Sequence, residues 1–231
     1  MKDNGYELFK LIHASKGMRC LDRLHSRSFS TNIYRVNAKE LRHAIEITED
    51  PEFGLQVFNV ENREAGTQAH REINRLFHNY LAAAKTLIDH TRAFVGDHYK
   101  SSKFERLYKE KISAEFASDS VAKFVQDLRN FIVHRGLPHS EMHFTFNKED
   151  GFSTGVRLDR DKLLEWGGWT AESRKYLKSQ PERVSIRHIF EAYDEKVSNF
   201  STWFDDTLRD YHKDDLFELE LMQREYQEKH R

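Results

Sequence analysis

Three side chains near the middle of the sequence have the chemistry that RNA cleavage without a metal ion requires. Arg129, Asn130 and His134 lie within six consecutive residues. Attack by a neighbouring 2′-hydroxyl needs a base for that hydroxyl, an acid for the leaving oxygen and positive charge beside the phosphorane. Histidine exchanges a proton near neutral pH, and the guanidinium fork of arginine fits two phosphate oxygens. Asn130 precedes His134 by four residues, so on a helix its amide can orient the imidazole or the phosphate.

The residues around this motif predict the helix that carries it. Apolar side chains recur at steps of three and four residues and form one stripe, which consists of Val121, Phe124, Val125, Leu128, Phe131 and Ile132. Ser118 and Asp119 are suitable N-caps, and Gly136 and Pro138 end the helix.

A second, partly apolar surface is predicted on the opposite side of this helix. It consists of Ala122, Gln126, Val133 and Leu137. A side that faces only water seldom carries such residues, whereas a helix in a two-fold interface needs them. We therefore expect a homodimer in which the two copies of the helix meet.

The motif and the order of helices resemble those of the HEPN superfamily. The R-x4-6-H signature of that family often has the form Arg-Asn-x-x-x-His, which Arg129, Asn130 and His134 match. The resemblance covers roughly residues 63–138 and the last long helix. It implies an up-and-down helical bundle in which two motifs meet across a homodimer cleft. It also implies metal-independent RNA cleavage, in a toxin or antiviral defence system, with an antitoxin or a regulatory protein as a further partner.

Interpretations without catalysis remain open. Arg129 can be a solvated or salt-bridged arginine, and His134 can cap the C-terminal end of the helix. The chain is then a non-catalytic helical module of the same fold that binds RNA, a nucleotide or a protein partner, or it is an unrelated helical scaffold.

The rest of the sequence predicts a mainly α fold with a small β-hairpin insertion. Only 3 Pro and 10 Gly interrupt the 231 residues. Helical spacing predicts an antiparallel pair of helices over 63–95, closed by Gly96, and 104–116, and a last long helix from 184 to 211. Between them, in an insertion at about 139–180, alternation around Asp150 predicts a hairpin, followed by short helices at 161–166 and 170–177.

The first sixty residues predict an α-rich flanking region beside a bundle over 61–231. Helices are expected at 6–14 and 37–47, the latter with a capping box from Asn37 to Glu40, and a strand is expected at 55–60. The acidic C-terminal end is expected to be the solvated part of a protruding helix.

Five basic side chains are candidates for contacts with an RNA backbone, namely Arg19, Arg23, Arg27, Lys103 and Arg106. An ordinary solvated face explains the same rows of charge. His70 and His78, eight residues apart on the long helix, can face the motif in the bundle.

Composition excludes several classes of protein. With 38% apolar and 13% aromatic residues the chain is not disordered, and it has no apolar run long enough to cross a membrane. A single cysteine, Cys20, excludes an internal disulfide framework and predicts a cytoplasmic location. His139 and His143 lack an acidic ligand set, and no nucleotide-binding or serine-hydrolase motif occurs, so neither metal nor cofactor is predicted.

Overall fold

The chain folds mainly into α-helices, with one small β-sheet among them. The structure, a computed structural model, describes residues 4–57, 59–147 and 151–229. In chain order the elements are α1 (Asn4–Ala14), α2 (Lys16–Thr48), α3 (Pro51–Val57), a 3-10 helix (Val60–Asn62), α4 (Arg63–His98), α5 (Lys103–Glu115), α6 (Ser120–Arg135), β1 (Ser140–Asn147), β2 (Gly151–Asp159), α7 (Arg160–Leu164), α8 (Ala171–Ser179), β3 (Arg183–Ser185), α9 (Ile186–Tyr211) and α10 (Lys213–Lys229). The predicted mainly α fold with a β insertion is confirmed. No helix in these ranges is long and apolar enough to cross a membrane.

Three long helices, α2, α4 and α9, enclose the main core and share a buried polar network. The Tyr34 hydroxyl donates a hydrogen bond to Asp194 Oδ1 at 2.6 Å and lies 3.1 Å from the Tyr80 hydroxyl. Arg42 Nη2 donates to Asp194 Oδ2 at 2.7 Å. Burial raises the pKa of both tyrosines, which therefore remain neutral. Residues of α2, from the region predicted to flank the bundle, thus lie in the same core as α4 and α9.

Helix α2 begins much earlier than the sequence predicts. Its N-cap is Ser15, whose hydroxyl accepts a hydrogen bond from the Met18 N–H at 3.0 Å. Asn37, the predicted N-cap, lies inside the helix, and its amide donates to the Ile33 carbonyl at 2.9 Å. The predicted start is therefore wrong. An asparagine side chain can bond to the preceding turn of a helix as well as to a helix start, so the capping pattern alone does not mark an end.

The strand predicted at 55–60 is wrong, because residues 55–57 end a helix and Val60 begins the 3-10 helix; Phe58 lies outside the described residues. Asp50 Oδ1 accepts a backbone N–H of the first turn at 3.0 Å, and Pro51 occupies the first helical position. The resulting helix, α3, packs on β2 at Gly54, where an added Cβ would lie 2.5 Å from the Phe152 ring.

The β-hairpin is confirmed, and a third strand joins it. β1 and β2 pair antiparallel, with Ser140 opposite Leu158 and Asn147 opposite Gly151. β3 pairs with the other edge of β2, which gives the order β1-β2-β3. With three residues, β3 is too short to show alternation in the sequence. Asp150 of the predicted turn lies outside the described residues, and α7 and α8 confirm the predicted short helices.

The turn between α4 and α5 comes later than predicted. α4 continues through Gly96, and the Tyr99 N–H donates to the Val95 carbonyl at 2.9 Å. An exposed glycine weakens a helix without ending it. α5 then packs on α9, with the Tyr108 ring 6.3 Å from the ring of Phe200.

The acidic C-terminal region does not protrude as expected. α10 folds back onto α1 and α2, where Leu219 packs with Leu8 and Ile12. A highly charged helix can pack against its neighbours through one buried apolar residue when its charged residues lie on the solvent-facing side of the helix. At Gly17 the helices approach so closely that an added Cβ would lie 2.4 Å from the Asp215 carbonyl oxygen.

The surroundings of Gly17 and Gly96 predict opposite effects of alanine substitution on the free energy of unfolding. In Gly17→Ala the new methyl group meets backbone, so α10 must shift, and we expect a loss of about 1–3 kcal/mol in the free energy of unfolding. Gly96 is exposed inside α4 with no atom within 4 Å of an added Cβ. Gly96→Ala should therefore stabilise by about 0.5–1 kcal/mol. Urea denaturation measures both, and an unchanged stability of Gly17→Ala would contradict the close packing of α10.

Candidate functional site

Helix α6 carries the predicted motif, and both its ends are as expected. Asp119 Oδ1 accepts a hydrogen bond from the Ala122 N–H at 2.8 Å. At the other end Gly136 has a φ of 110°, a value that favours glycine, and its N–H donates to the Ile132 carbonyl at 3.1 Å. Local sequence is therefore sufficient to define this helix.

The side of α6 that faces the insertion is held by α8. Asp127 Oδ2 accepts hydrogen bonds from the Thr170 N–H at 2.9 Å, the Thr170 hydroxyl at 2.8 Å and the Ser173 hydroxyl at 2.6 Å. Phe124 and Phe131 both stack on Trp169, with ring centroids 5.5 and 5.9 Å away. These contacts fix the rotation of α6 and so the directions of its remaining side chains.

The three motif side chains do not all lie on one side of α6. Arg129 and His134 are separated by about 140° around the axis and about 7.5 Å along it. Asn130 lies between them, and Arg129 Nη1 is 3.5 Å from its Oδ1, a long and weak contact. Arg129 is half-buried, whereas His134 is exposed and has no hydrogen-bond or ion-pair partner among the described residues. A single chain therefore does not present Arg129 and His134 as a pair.

The four predicted interface residues have different environments. Ala122 is 0% exposed within its own protomer, which corrects its assignment to a dimer surface. Gln126 is half-buried and lines a partly open cavity. Val133 and Leu137 are 53% and 58% exposed, so these two can contact another molecule. Other elements pack on several sides of α6. More of its surface is therefore buried than the apolar stripe alone indicates.

The five predicted RNA-binding side chains do not form one surface. Arg27 is buried, with its Nη1 2.5 Å from Asp205 Oδ1, so its assignment is corrected. Arg23 is half-buried, and its guanidinium lies 5.8 Å from the centre of the Tyr99 ring. The other three side chains are exposed, namely Arg19, Lys103 and Arg106.

The structure contains a groove that the sequence does not predict, and the groove begins three residues after His134. It has a volume of about 710 Å³ and lies between α4 and the segment that joins α6 to β1. Its lining combines imidazole and guanidinium groups and consists of His70, Arg71, Asn74, Arg75, His78, Leu137, Pro138, His139 and Ser140. His70 and His78 thus face the segment after the motif, but His134 is not part of the lining. The eight-residue spacing of His70 and His78 indicates in the sequence that both lie on one side of α4. The residues of the opposite wall cannot be identified from sequence, because tertiary packing brings them to α4.

A chain of hydrogen bonds determines the tautomer of His70 in this groove. The Asn74 amide nitrogen donates to the His70 carbonyl at 2.8 Å, so Asn74 Oδ1 is the acceptor of the Ser140 hydroxyl at 2.9 Å. Because this hydroxyl has one hydrogen, His70 Nε2, 3.0 Å from Ser140 Oγ, must donate to it. His70 Nδ1 is then unprotonated in the neutral ring. Burial lowers the pKa of His70. A hydrogen bond with the Ser140 backbone partly opposes this shift, and the nearby His139 reinforces it.

Comparison with known proteins adds no assignment to this geometry. No family model, no curated protein and no solved structure matches the chain. The HEPN resemblance therefore rests on Arg129, Asn130 and His134 and on the order of the helices. Within the described ranges no three His, Cys, Asp or Glu side chains are grouped so that they could hold a metal ion.

The lowered pKa of His70 predicts a pH-dependent contribution to stability. An unfolded histidine titrates near about 6.5, so below that pH the unfolded chain binds this proton more readily than the folded one. Stability is therefore lost as the pH falls from about 6.5 towards the pKa of folded His70. His70→Gln should reduce the difference in unfolding free energy between pH 7 and pH 5. Urea titrations of both proteins at both pH values measure this, and equal differences would contradict the burial of the imidazole.

Proposed function

We propose that the chain is a cytoplasmic, metal-independent endoribonuclease of HEPN type that acts as a homodimer, in a toxin or antiviral defence system. The observation that carries the proposal is the motif at the end of α6, where His134 is exposed and unpaired in the described structure and Arg129 lies on the adjoining side. His134 exchanges protons with the 2′-hydroxyl or the leaving oxygen, and Arg129 stabilises charge on the phosphorane. Asn130 orients one of these groups.

The angular separation of the motif side chains favours a composite site. Val133 lies on the ridge between Arg129 and His134, about 40° from the first and about 100° from the second. If two protomers pack along this ridge, Arg129 of one approaches His134 of the other. A two-fold dimer then contains two equivalent sites. In this geometry only a dimer brings Arg129 and His134 together, which explains why the proposed activity requires dimerisation.

The groove beside the motif supports RNA as the substrate. Arg71 has no ion-pair partner in the described structure, while Arg75 is engaged by Glu72 at 2.6 Å. The unpaired guanidinium of Arg71 therefore supplies positive charge in the groove, on which a phosphate of a bound strand can lie. The groove starts at Leu137, so a strand at His134 would continue into it.

A non-catalytic module that binds RNA, a nucleotide or a protein partner is the second candidate. The observation that favours it is the lack of any described partner that would orient the His134 ring. Catalytic histidines are commonly held by a second group. In the composite site that second group would come from the other protomer, so dimerisation also distinguishes the two candidates.

Removal of either motif side chain should abolish cleavage without unfolding the protein. We expect Arg129→Ala and His134→Ala each to reduce cleavage of single-stranded RNA by about a hundredfold or more. Arg35→Ala, which changes an exposed arginine of α2, is the matched control and should retain most activity. Circular dichroism and the mass in solution should be unchanged in all three. Full activity of His134→Ala would exclude the assigned role.

The products identify the chemical mechanism. Attack by the 2′-hydroxyl leaves a 2′,3′-cyclic phosphate, and a 2′-O-methyl group at the cut site should block the reaction. Activity should persist in EDTA. Cleavage of the methylated RNA or of DNA would contradict this mechanism, and the lack of cleavage of any RNA in the presence of natural partners would favour the binding module.

The dimer can be tested independently of catalysis. Val133→Asp should produce monomers, because a charge would be buried without a partner. Ile33→Asp is the matched control, since Ile33 is a similarly exposed β-branched residue, at 49%, on another helix, α2. Sedimentation at micromolar concentration measures both. A monomeric wild-type protein, or dissociation by Ile33→Asp alone, would contradict the predicted interface.

Mixed dimers test whether the site is shared between protomers. Arg129→Ala and His134→Ala proteins are mixed in equal amounts and allowed to exchange subunits. A composite site predicts recovery of about one quarter of wild-type activity, because half of the dimers then contain one intact site of two. A site formed within one protomer predicts no recovery.

A further inference from the structure

A cavity on the other side of α6 has the size and lining of a small-molecule site. Its volume is about 480 Å³, and it lies among α4, α5 and α9. Apolar side chains form most of the wall, including Leu87, Ile88, Tyr108, Ile112, Val197 and Phe200. Ligand pockets of drug-sized molecules have volumes of about 300–1,000 Å³ and similarly apolar walls with few polar groups.

One buried charged side chain, Arg27 of α2, is part of this wall. Its side chain is 5% exposed, and the guanidinium carbon lies 4.1 Å from the centre of the Phe204 ring. Asp205 accepts from Nη1 at 2.5 Å, but Nε and Nη2 have no hydrogen-bond partner in the described structure. Buried N–H groups are nearly always paired, so two unpaired donors on one side chain require an explanation. Burial also lowers the pKa of Arg27, against the opposing effect of Asp205.

The unpaired atoms form the edge of the guanidinium that binds carboxylates. Nε and Nη2 present two parallel N–H groups, and a carboxylate accepts both in a bidentate arrangement. Asp205 occupies Nη1 and leaves this edge intact. Arg27 lines the apolar cavity and also a second groove with Asp205 and Arg209. Its unpaired edge is therefore a candidate anion contact in the wall of the cavity.

The charge around the cavity favours an anion. The described wall contains three cationic side chains, Arg27, Arg92 and Lys109, and no aspartate or glutamate. Arg92 and Lys109 are exposed and pair with carboxylates of their own helices, at 3.6 Å to Asp89 and 2.7 Å to Glu105. They mark the solvent side of the cavity, whereas Arg27 lies at its buried side.

We propose that this cavity binds a small amphipathic carboxylate, with an apolar chain in the cavity and a carboxylate on Nε and Nη2 of Arg27. These two nitrogens have almost no exposed area, so the head group reaches them by displacing a wall side chain. The site is separate from the proposed nuclease site, and the assays below use no RNA. Failure of one proposal therefore leaves the other unaffected.

Calorimetry with saturated fatty acids tests the proposal on the wild-type protein. Octanoate, decanoate and dodecanoate are titrated below the concentrations at which they form micelles. Affinity should rise about fourfold per added methylene until the cavity is full. Decanol, with the same chain and no charge, should bind at least tenfold more weakly than decanoate. Equal affinities for decanol and decanoate, or no binding of decanoate, would overturn the proposal.

Substitution of Arg27 separates recognition of the head group from that of the chain. Arg27→Met should lose at least tenfold in affinity for decanoate but keep its affinity for decanol. Arg19→Met, at an exposed arginine of the same helix, should change neither. If Arg27→Met does not fold, Arg27→Lys gives the same test, because a single ammonium cannot reproduce the bidentate contact. Unchanged binding of decanoate by both variants would overturn the assignment of Arg27.

A third variant locates the ligand. Ile112→Trp adds volume to the cavity wall from α5 and should weaken decanoate and decanol alike. Unchanged affinity for both ligands in this variant would show that the chain binds elsewhere and would contradict the proposal.

Discussion

The carboxylate of Asp194 determines how the three long helices fit together. A charged group at the edge of an apolar core is tolerated only when its oxygens are bonded, and Tyr34 and Arg42 of α2 supply those bonds. Tyr80 of α4 adjoins the same hydroxyl. Apolar contacts alone allow helices to slide, whereas these directional bonds set the register of α2 and α4 on α9. Helix α6 packs on α4 and α9 and so lies against two of these three helices.

Sequence periodicity succeeds where one helix face is continuously apolar. α4, α6 and α9 have such stripes, and all three are predicted close to their observed bounds. α2 differs, because its buried positions include small or polar residues such as Gly17, Arg27 and Thr31. The helical period of hydrophobic residues in α2 is therefore weak. For this reason the sequence predicts only the last third of this helix. The short apolar segment at 55–60 has too few residues to distinguish strand from helix, and Pro51 decides the outcome.

The residues of the candidate site likewise differ in whether local sequence is sufficient to identify them. Arg129, Asn130 and His134 are positions on one helix, so local sequence suffices to find them. The burial of Ala122 and Arg27 depends instead on distant residues. Arg27 is paired with Asp205, 178 positions away, and an arginine on a basic row cannot be distinguished in sequence from one that is buried. The groove likewise requires α4 and the segment after α6 to be adjacent.

The packing of α6 limits where any function of this helix can operate. Its core side is buried, its insertion side is held through Asp127, and Gln126 lines the partly open cavity. The accessible part is the last turn, with Val133 and His134, and the residues that follow. A helix C-terminus carries partial negative charge, which repels phosphate. An RNA strand at this position therefore depends on nearby guanidinium groups, and Arg129, Arg135 and the groove arginines can reverse the local potential.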